Sequence, residues 1–305
     1  MNTQLHFGIQ APQQHISYQR LLEIWLEADR EPLIDHMWLF DHFMPLGGHP
    51  DGPCFESWTV LAALAAQTER VRLGHLVTGN TYRHPAILAR QAVTVDHISE
   101  GRLNFGIGAA WHEQEHQGYG LAFPSAAERV RRLDEACQII RQLWTETTPT
   151  FEGRYYQLHQ AHSEPKPQQR PFPPIFIAAG GDHMLRVVAT HAHVWCSTSQ
   201  TAEDFREKNA RLTQHCEAIG RDSSTLERLA SFVINPADVT FRQARETAQS
   251  FLEAGATHMV LNIAAFYQQE EVIPRLLHEI IKPLKQSDDR RFCMEDGVIS
   301  SEHQK

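Results

Sequence analysis

Eight short apolar, β-branched segments recur along the chain with a helix-sized gap between successive ones, and this alternation limits the fold more than any other feature. They fall at 6–11, 37–41, 72–78, 103–108, 175–179, 194–198, 229–234 and 258–263. Their continuous apolar character, rather than an alternating one, marks strands covered on both faces, as in a parallel sheet. Amphipathic stretches fill the gaps. After Ser17, the residues Tyr18, Leu21, Leu22, Trp25 and Ala28 recur at helical spacing, and Val130, Leu133, Cys137, Ile140 and Trp144 do so after Ser125. Ser125 and Glu128 have the spacing of a capping box, as do Thr240 and Gln243. Pro85 opens a helix running to about Ile98, with Gly101 beyond it. Further helices are predicted over 201–219, 240–254 and 270–284, with Gly220 and Gly255 just past two of their ends. Eight strand–helix units in about 285 residues fit an α/β fold of the (β/α)8 TIM-barrel type, whose typical size is about 250 residues. A doubly wound open sheet is the alternative. The alternation pauses at 145–173, where Gly153, Tyr155, Tyr156 and the run Pro165, Pro167, Pro171, Pro173 and Pro174 predict an inserted hairpin and loop after strand four. The barrel is thus expected over 1–285, followed by a polar tail at 286–305.

Composition narrows the function. A 305-residue chain with 42% hydrophobic and 21% charged residues can bury a sizeable core, which excludes a disordered or disulfide-framed chain. A net charge of −9 is a poor match for a polyanion, so no nucleic-acid partner is expected. The longest apolar run, 60–66, is far below the roughly 20 residues of a membrane span, and MNTQLHFGIQ has no secretory pattern. Five widely spaced cysteines without a CxxC predict reduced thiols and a cytoplasmic protein.

Barrel enzymes build their sites from residues just after the strands. Here these are Asp41, His42 and Phe43; Thr78, Gly79 and Asn80; 109–116; Gly180, Gly181 and Asp182; and Ser197, Thr198 and Ser199. His112-Glu113-Gln114-Glu115-His116 satisfies the HExxH pattern of zinc peptidases. A third ligand is missing at the metzincin position, where Ala122 stands, and Glu135 belongs to a separately capped helix. The expected role of this segment is therefore to line or cover a cofactor pocket, without a metal. Gly106-Ile107-Gly108-Ala109-Ala110-Trp111 opens like a dinucleotide fingerprint but ends on Trp, which argues against a nicotinamide site. Ile177-Ala178-Ala179-Gly180-Gly181-Asp182 runs from a strand through two glycines into a helix. Such a turn can cradle a phosphate with backbone N–H groups. Asp182, if it caps that helix, would compete for them.

Taken together, Trp38-Leu39-Phe40-Asp41-His42-Phe43, the stretch from Arg72 to Asn80 with Arg83-His84-Pro85, the stretch from Gly101 to Trp111, and that from Ile177 to Gly181 resemble the bacterial luciferase-like superfamily. Within it, they resemble the coenzyme F420 (deazaflavin)-dependent oxidoreductases. The resemblance spans about residues 5–284 and implies a (β/α)8 barrel. It implies that Asp41 contacts the cofactor and that His42 handles a proton. It also implies a non-proline cis peptide at His75–Leu76, within a bulge that presses on the ring. His75, Leu76, Val77, Thr78, Gly79, Asn80, Ala109 and Trp111 would then surround the cofactor, and Gly180, Gly181, His183 and Met184 would hold its phosphate. Sugar-phosphate dehydrogenases of this family carry a Glu where Trp111 stands, so Glu113 or Glu115 would take over as acid/base, and their substrate-binding lysines have no clear match here. The expected activity is hydride transfer between F420 and a small organic substrate, in a homodimer. An FMN-dependent monooxygenase, a zinc peptidase and a non-catalytic flavin-binding protein are the alternatives.

Overall fold

The computed structural model describes residues 5–235 and 240–287. Its main sheet contains β1 (His6–Gln10), β2 (His36–Leu39), β3 (Arg72–His75), β4 (Thr78–Gly79), β5 (Leu103–Gly108), β8 (Ile175–Ala179), β9 (Val194–Ser197), β10 (Glu227–Val233) and β11 (His258–Asn262). All pair in parallel, and β3 also pairs with β5, so the sheet closes. β3 and β4 are two halves of one stave, which makes the closed barrel eight-staved. Between β5 and β8, an antiparallel pair, β6 (Phe151–Glu152) and β7 (Gln157–Leu158), forms the expected hairpin. Glu135 holds it by accepting the N–H groups of Arg154, Tyr155 and Tyr156.

The helices are α1 (Tyr18–Arg30), α2 (Ser57–Ala65), α3 (Pro85–Ile98), α4 (Glu113–Gly118), α5 (Ala126–Thr145), α6 (Asp182–His191), α7 (Ala202–Ala218), α8 (Phe241–Glu253) and α9 (Val272–Leu276). The last continues through a π-turn, Leu277–Ile281, to residue 287. Most of the expected tail lies outside the described residues. The Thr240 box is complete, whereas that at Ser125 is half formed, because the Glu128 carboxylate turns to Arg132. No helix among the described residues is long and apolar enough to cross a membrane.

The third stave departs from the expected single strand over 72–78. Its ladder holds through His75, and the Leu76 N–H still reaches the Leu39 carbonyl at 2.9 Å. The chain bulges only afterwards, so the non-proline cis peptide lies between Leu76 and Val77, one bond beyond the expected position. Glycines make room for the bulge. A Cβ on Gly106 would lie 1.9 Å from the His75 carbonyl oxygen, and one on Gly108 would lie 2.9 Å from a Val77 methyl. The two glycines that open like a dinucleotide fingerprint thus serve the approach of one stave to the next. Gly106→Ala is expected to cost about 1–3 kcal/mol through overpacking. Gly118→Ala, with nothing within 4 Å of the added methyl, should stay within about 0.5 kcal/mol. Urea unfolding of both variants checks this, and equal midpoints would refute it.

Inside the barrel, Trp38, Phe176, Val194, Cys196, Leu229 and Val260 form a plug against which Leu76, Val77 and Ala178 pack. Beneath the plug runs a chain of neutral histidines. The Trp38 indole N–H donates to His36 Nδ1 (2.6 Å), which leaves the His36 hydrogen on Nε2, facing His258 Nδ1 at 3.1 Å. His258 Nε2–H then donates to Glu227 at 2.6 Å. Burial holds the pKa values of His36 and His258 below the usual histidine value and pulls that of buried His75 down to about 4. Unfolding returns these rings to a value near 6.5, so below that pH the unfolded chain binds more protons than the folded one. Stability should therefore be level above about pH 7 and fall as the pH drops from 6.5 towards 4, by up to roughly 1.4 kcal/mol per pH unit for each ring. Denaturant midpoints that stay flat from pH 8 to pH 5 would refute this.

Candidate active site

The strand C-termini open into a cleft with two lobes, about 450 Å³ and about 220 Å³, both lined by His42, Val77, Trp111, Ala178 and Thr198. Leu76 and Val77, carried inward by the bulge, make an apolar floor. Trp111 forms a wall, its ring centroid 5.6 Å from that of His42.

His42 is the one imidazole lining both lobes, and its orientation is fixed from behind. Its Nδ1 lies 2.8 Å from Glu115 Oε2, which also accepts the Tyr82 hydroxyl at 2.5 Å. Glu115 Oε1 accepts the N–H groups of Phe43 and Met44. Burial pushes the Glu115 carboxyl up, but the bonds from His42, Tyr82 and Phe43 outweigh it and pull it down to about 2. An ionised carboxylate only accepts, so Nδ1 carries the hydrogen and a neutral His42 leaves Nε2 as a proton acceptor for the cleft. Tyr82 is buried, and burial with the adjacent Glu115 carboxylate pushes its hydroxyl well above the usual range, so it stays a donor.

Asp41 lies beside this pair with its carboxylate consumed. Arg83 grips it at 2.6 and 3.1 Å, Ser57 donates at 2.6 Å, and Arg83 also pairs with Glu56. Asp41 therefore locks the end of β2 from beneath the cleft surface. Of the two candidate glutamates, Glu115 is fully buried against His42, whereas Glu113 is exposed and bonds Gln117.

Thr78, Gly79, Ala109, Gly180 and Met184 line the smaller lobe, and Leu76 lines the larger. His75 lies behind the floor, its ring 4.5 Å from that of Trp58 and its Nε2 without a partner among the described residues. Trp58 also donates to Thr78 Oγ1 at 3.1 Å. Asn80 is buried, its Oδ1 likewise unpartnered. Gly180 is needed because a Cβ would lie 2.2 Å from Thr198 Oγ1. Gly181 caps α6, and among the described residues no side chain bonds the helix's leading N–H groups. Asp182 does not compete for them, since its carboxylate turns away to His215 (2.8 Å) and Arg186 (3.0 Å). His183 points elsewhere, into a separate groove of about 530 Å³ between α5 and α6.

The HExxH segment is used internally. His112 Nδ1 caps α4 by accepting the Glu115 N–H, and the two ring nitrogens of His116 lie 2.7 Å from the His112 carbonyl and 2.6 Å from Thr81 Oγ1. Sequence reasoning missed Tyr82, Ser57 and Trp58. Tyr82 directly precedes the quoted Arg83-His84-Pro85, but no spacing rule ties it to Glu115.

A planar, phosphate-bearing cofactor fits this arrangement. It would meet an apolar floor, a glycine turn that a Cβ would fill, and a helix N-terminus whose donors no described side chain satisfies.

Residues 2–292 match the luciferase-like monooxygenase family model. The chain is 34% identical over 227 residues to the F420-dependent glucose-6-phosphate dehydrogenase of Kineococcus radiotolerans, covering 73% of this chain and 66% of the relative. It is 35% identical to that of Amycolatopsis mediterranei, covering 62% and 54%. The chain thus spans two-thirds or less of the length of these relatives. In structure it resembles an F420-dependent secondary alcohol dehydrogenase bound to an F420–acetone adduct, with a TM-score of 0.77, 18% identity, and coverage of 87% of this chain and 98% of that one. It also resembles the coenzyme F420-dependent tetrahydromethanopterin reductase of Methanopyrus kandleri, with a TM-score of 0.76, 16% identity, and coverage of 92% and 99%. At such identities the structural likeness establishes the barrel, while the match along almost the whole sequence shows that this chain belongs to the luciferase-like monooxygenase family.

Proposed function

We propose that the protein is an F420-dependent oxidoreductase in which His42 takes up or returns the proton that accompanies hydride transfer to or from a small organic substrate. The observation that carries this reading is the buried Glu115–His42 pair, which presents a proton-accepting nitrogen to a cleft with an apolar floor. The likeness to relatives named as F420-dependent supports the choice of cofactor. When bound, the deazaflavin would supply the hydride chemistry, since carbon replaces the ring nitrogen on which a flavin's one-electron and oxygen reactivity depends. Leu76, Val77, Thr78, Gly79, Ala109 and Met184 would hold its ring, and Gly180 and Gly181 with the α6 N-terminus its phosphate. Asp41 would support the site through Arg83, and Trp111 would screen it from water.

Titration of the protein with oxidised F420 and, separately, with FMN, followed by tryptophan quenching, tests the cofactor assignment. F420 is expected to bind at least about tenfold more tightly, a difference of ~1.4 kcal/mol. FMN binding equally well or better would overturn it in favour of the monooxygenase reading. A homodimer and a cytoplasmic location belong to the same proposal, the first resting on the family resemblance and the second on the widely spaced cysteines without a CxxC. Light scattering at micromolar concentration should then give twice the chain mass of 34.8 kDa.

A further inference from the structure

We propose that the substrate of this site is an uncharged, hydroxyl- or carbonyl-bearing compound and that the cleft rejects phosphate esters. The proposal rests on the oxidoreductase reading above and concerns the larger lobe.

Among the described residues lining that lobe there is no Lys, Arg, Asp or Glu. Apart from His42, its polar members carry no titratable charge: Gln10, Gln14, Ser197, Ser199, Ser231 and Asn262 stand among them. Several are already set in place by one another. Asn262 Nδ2 donates to Gln10 Oε1 at 3.0 Å, Gln10 Nε2 donates to the Leu76 carbonyl at 3.2 Å, and Ser197 Oγ donates to Ser199 Oγ at 2.9 Å. Such amide and hydroxyl groups can exchange hydrogen bonds with a neutral hydroxyl or carbonyl.

Two cations near the cleft are engaged by carboxylates. Arg83 is locked on Asp41 and Glu56. Lys208 pairs with Asp204 at 2.6 Å, and its Nζ would lie 3.6 Å from a Cβ built on Gly180, on the phosphate-cradle side of the smaller lobe. Among the described residues, a phosphate monoester in the larger lobe would meet no counter-charge but that of His42, whose Nδ1 already faces Glu115, and buried charge is tolerated only when paired. The ionised Glu115 behind His42 and the net charge of −9 make the site still less hospitable to a dianion. A neutral ligand incurs neither cost.

The test uses the F420-loaded protein and two probes, glucose and glucose 6-phosphate, with calorimetric binding read beside turnover. Glucose is expected to bind at least about tenfold more tightly than its phosphate and to show the larger kcat/KM. The reverse order overturns the proposal. In parallel, Ser231→Lys and the more exposed Val233→Lys each place a cation on the lobe wall. At least one should gain about tenfold or more in affinity for glucose 6-phosphate, with F420 affinity unchanged. If neither sugar binds the unmodified protein, the lysine variants decide: phosphate binding that appears only in them supports the proposal, and its absence from both overturns it. Failure of F420 itself to bind is a separate result, which removes the oxidoreductase reading rather than this inference.

Discussion

His42→Ala is expected to lower turnover by about 10²–10⁴-fold, the usual contribution of a positioned acid or base. F420 affinity should change much less, because the cofactor's suggested holders are the bulge and the α6 N-terminus rather than this ring. His42 meets the geometric requirement for the role, lining both lobes with one nitrogen anchored and the other free. The pH profile separates a proton-transfer role from a packing role. Any limb of the kcat/KM profile that reports His42 should disappear in the alanine variant, whereas a ring that merely filled space would leave the profile's shape intact. Asp41→Ala should behave differently. It frees Arg83 beneath the cleft and is expected to weaken both cofactor binding and turnover. Unchanged turnover in His42→Ala would end the role assigned to that residue.

The barrel could be read from the sequence because eight short segments with buried apolar residues alternate with helices of which most carry an apolar stripe, α2 being the exception, even though β1, β3 and β5 alternate those apolar residues with polar or glycine ones. The exception shows the limit of that signal. α2 buries Ser57, Trp58, Val60, Leu61, Leu64 and Ala65 at helical spacing, but Ala62, Ala63 and Ala66 on its outer side are apolar too, so no polar face marks the period, and with it went two supports of the site, Ser57 and Trp58. The bulge was hidden for a similar reason. Residues 72–78 are compatible with an unbroken strand, and only the glycines of the neighbouring stave, read in three dimensions, reveal the space it needs. The two glutamates of the HExxH segment could not be separated by pattern. Residues two apart on a helix lie on nearly opposite sides, so one of the pair had to face inward, but a six-residue helix has too little periodicity to say which. The networks that fix His42 and Asp41 join groups 16 to 73 residues apart, distances across which single-sequence spacing carries no information.

The buried Glu115 makes possible a sharper experiment than deletion of His42, because two substitutions there separate stability from catalysis. Glu115→Leu should destabilise the fold by about 3–5 kcal/mol, since it strands His42 Nδ1–H, the Tyr82 hydroxyl and the N–H groups of Phe43 and Met44 away from water. At the usual conversion of about 2–4 °C per kcal/mol, the melting temperature should fall by roughly 6–20 °C. Glu115→Gln keeps the shape and one acceptor oxygen. If that oxygen serves the Phe43 and Met44 amides, the amide nitrogen faces His42 and can only donate. His42 must then accept at Nδ1, which moves its hydrogen to Nε2 and removes the proton acceptor from the cleft. Most of the stability should therefore return while turnover stays about 10²-fold or more below that of the unmodified protein. Tyr82→Phe supplies the control, because it removes one donor to Glu115 without touching the bond to His42 and should cost stability more than rate. Thermal melts and steady-state kinetics on the three variants give the answer. Full turnover in Glu115→Gln would show that the carboxylate only fills and ties the loop, and that the tautomer of His42 is set by something other than Glu115.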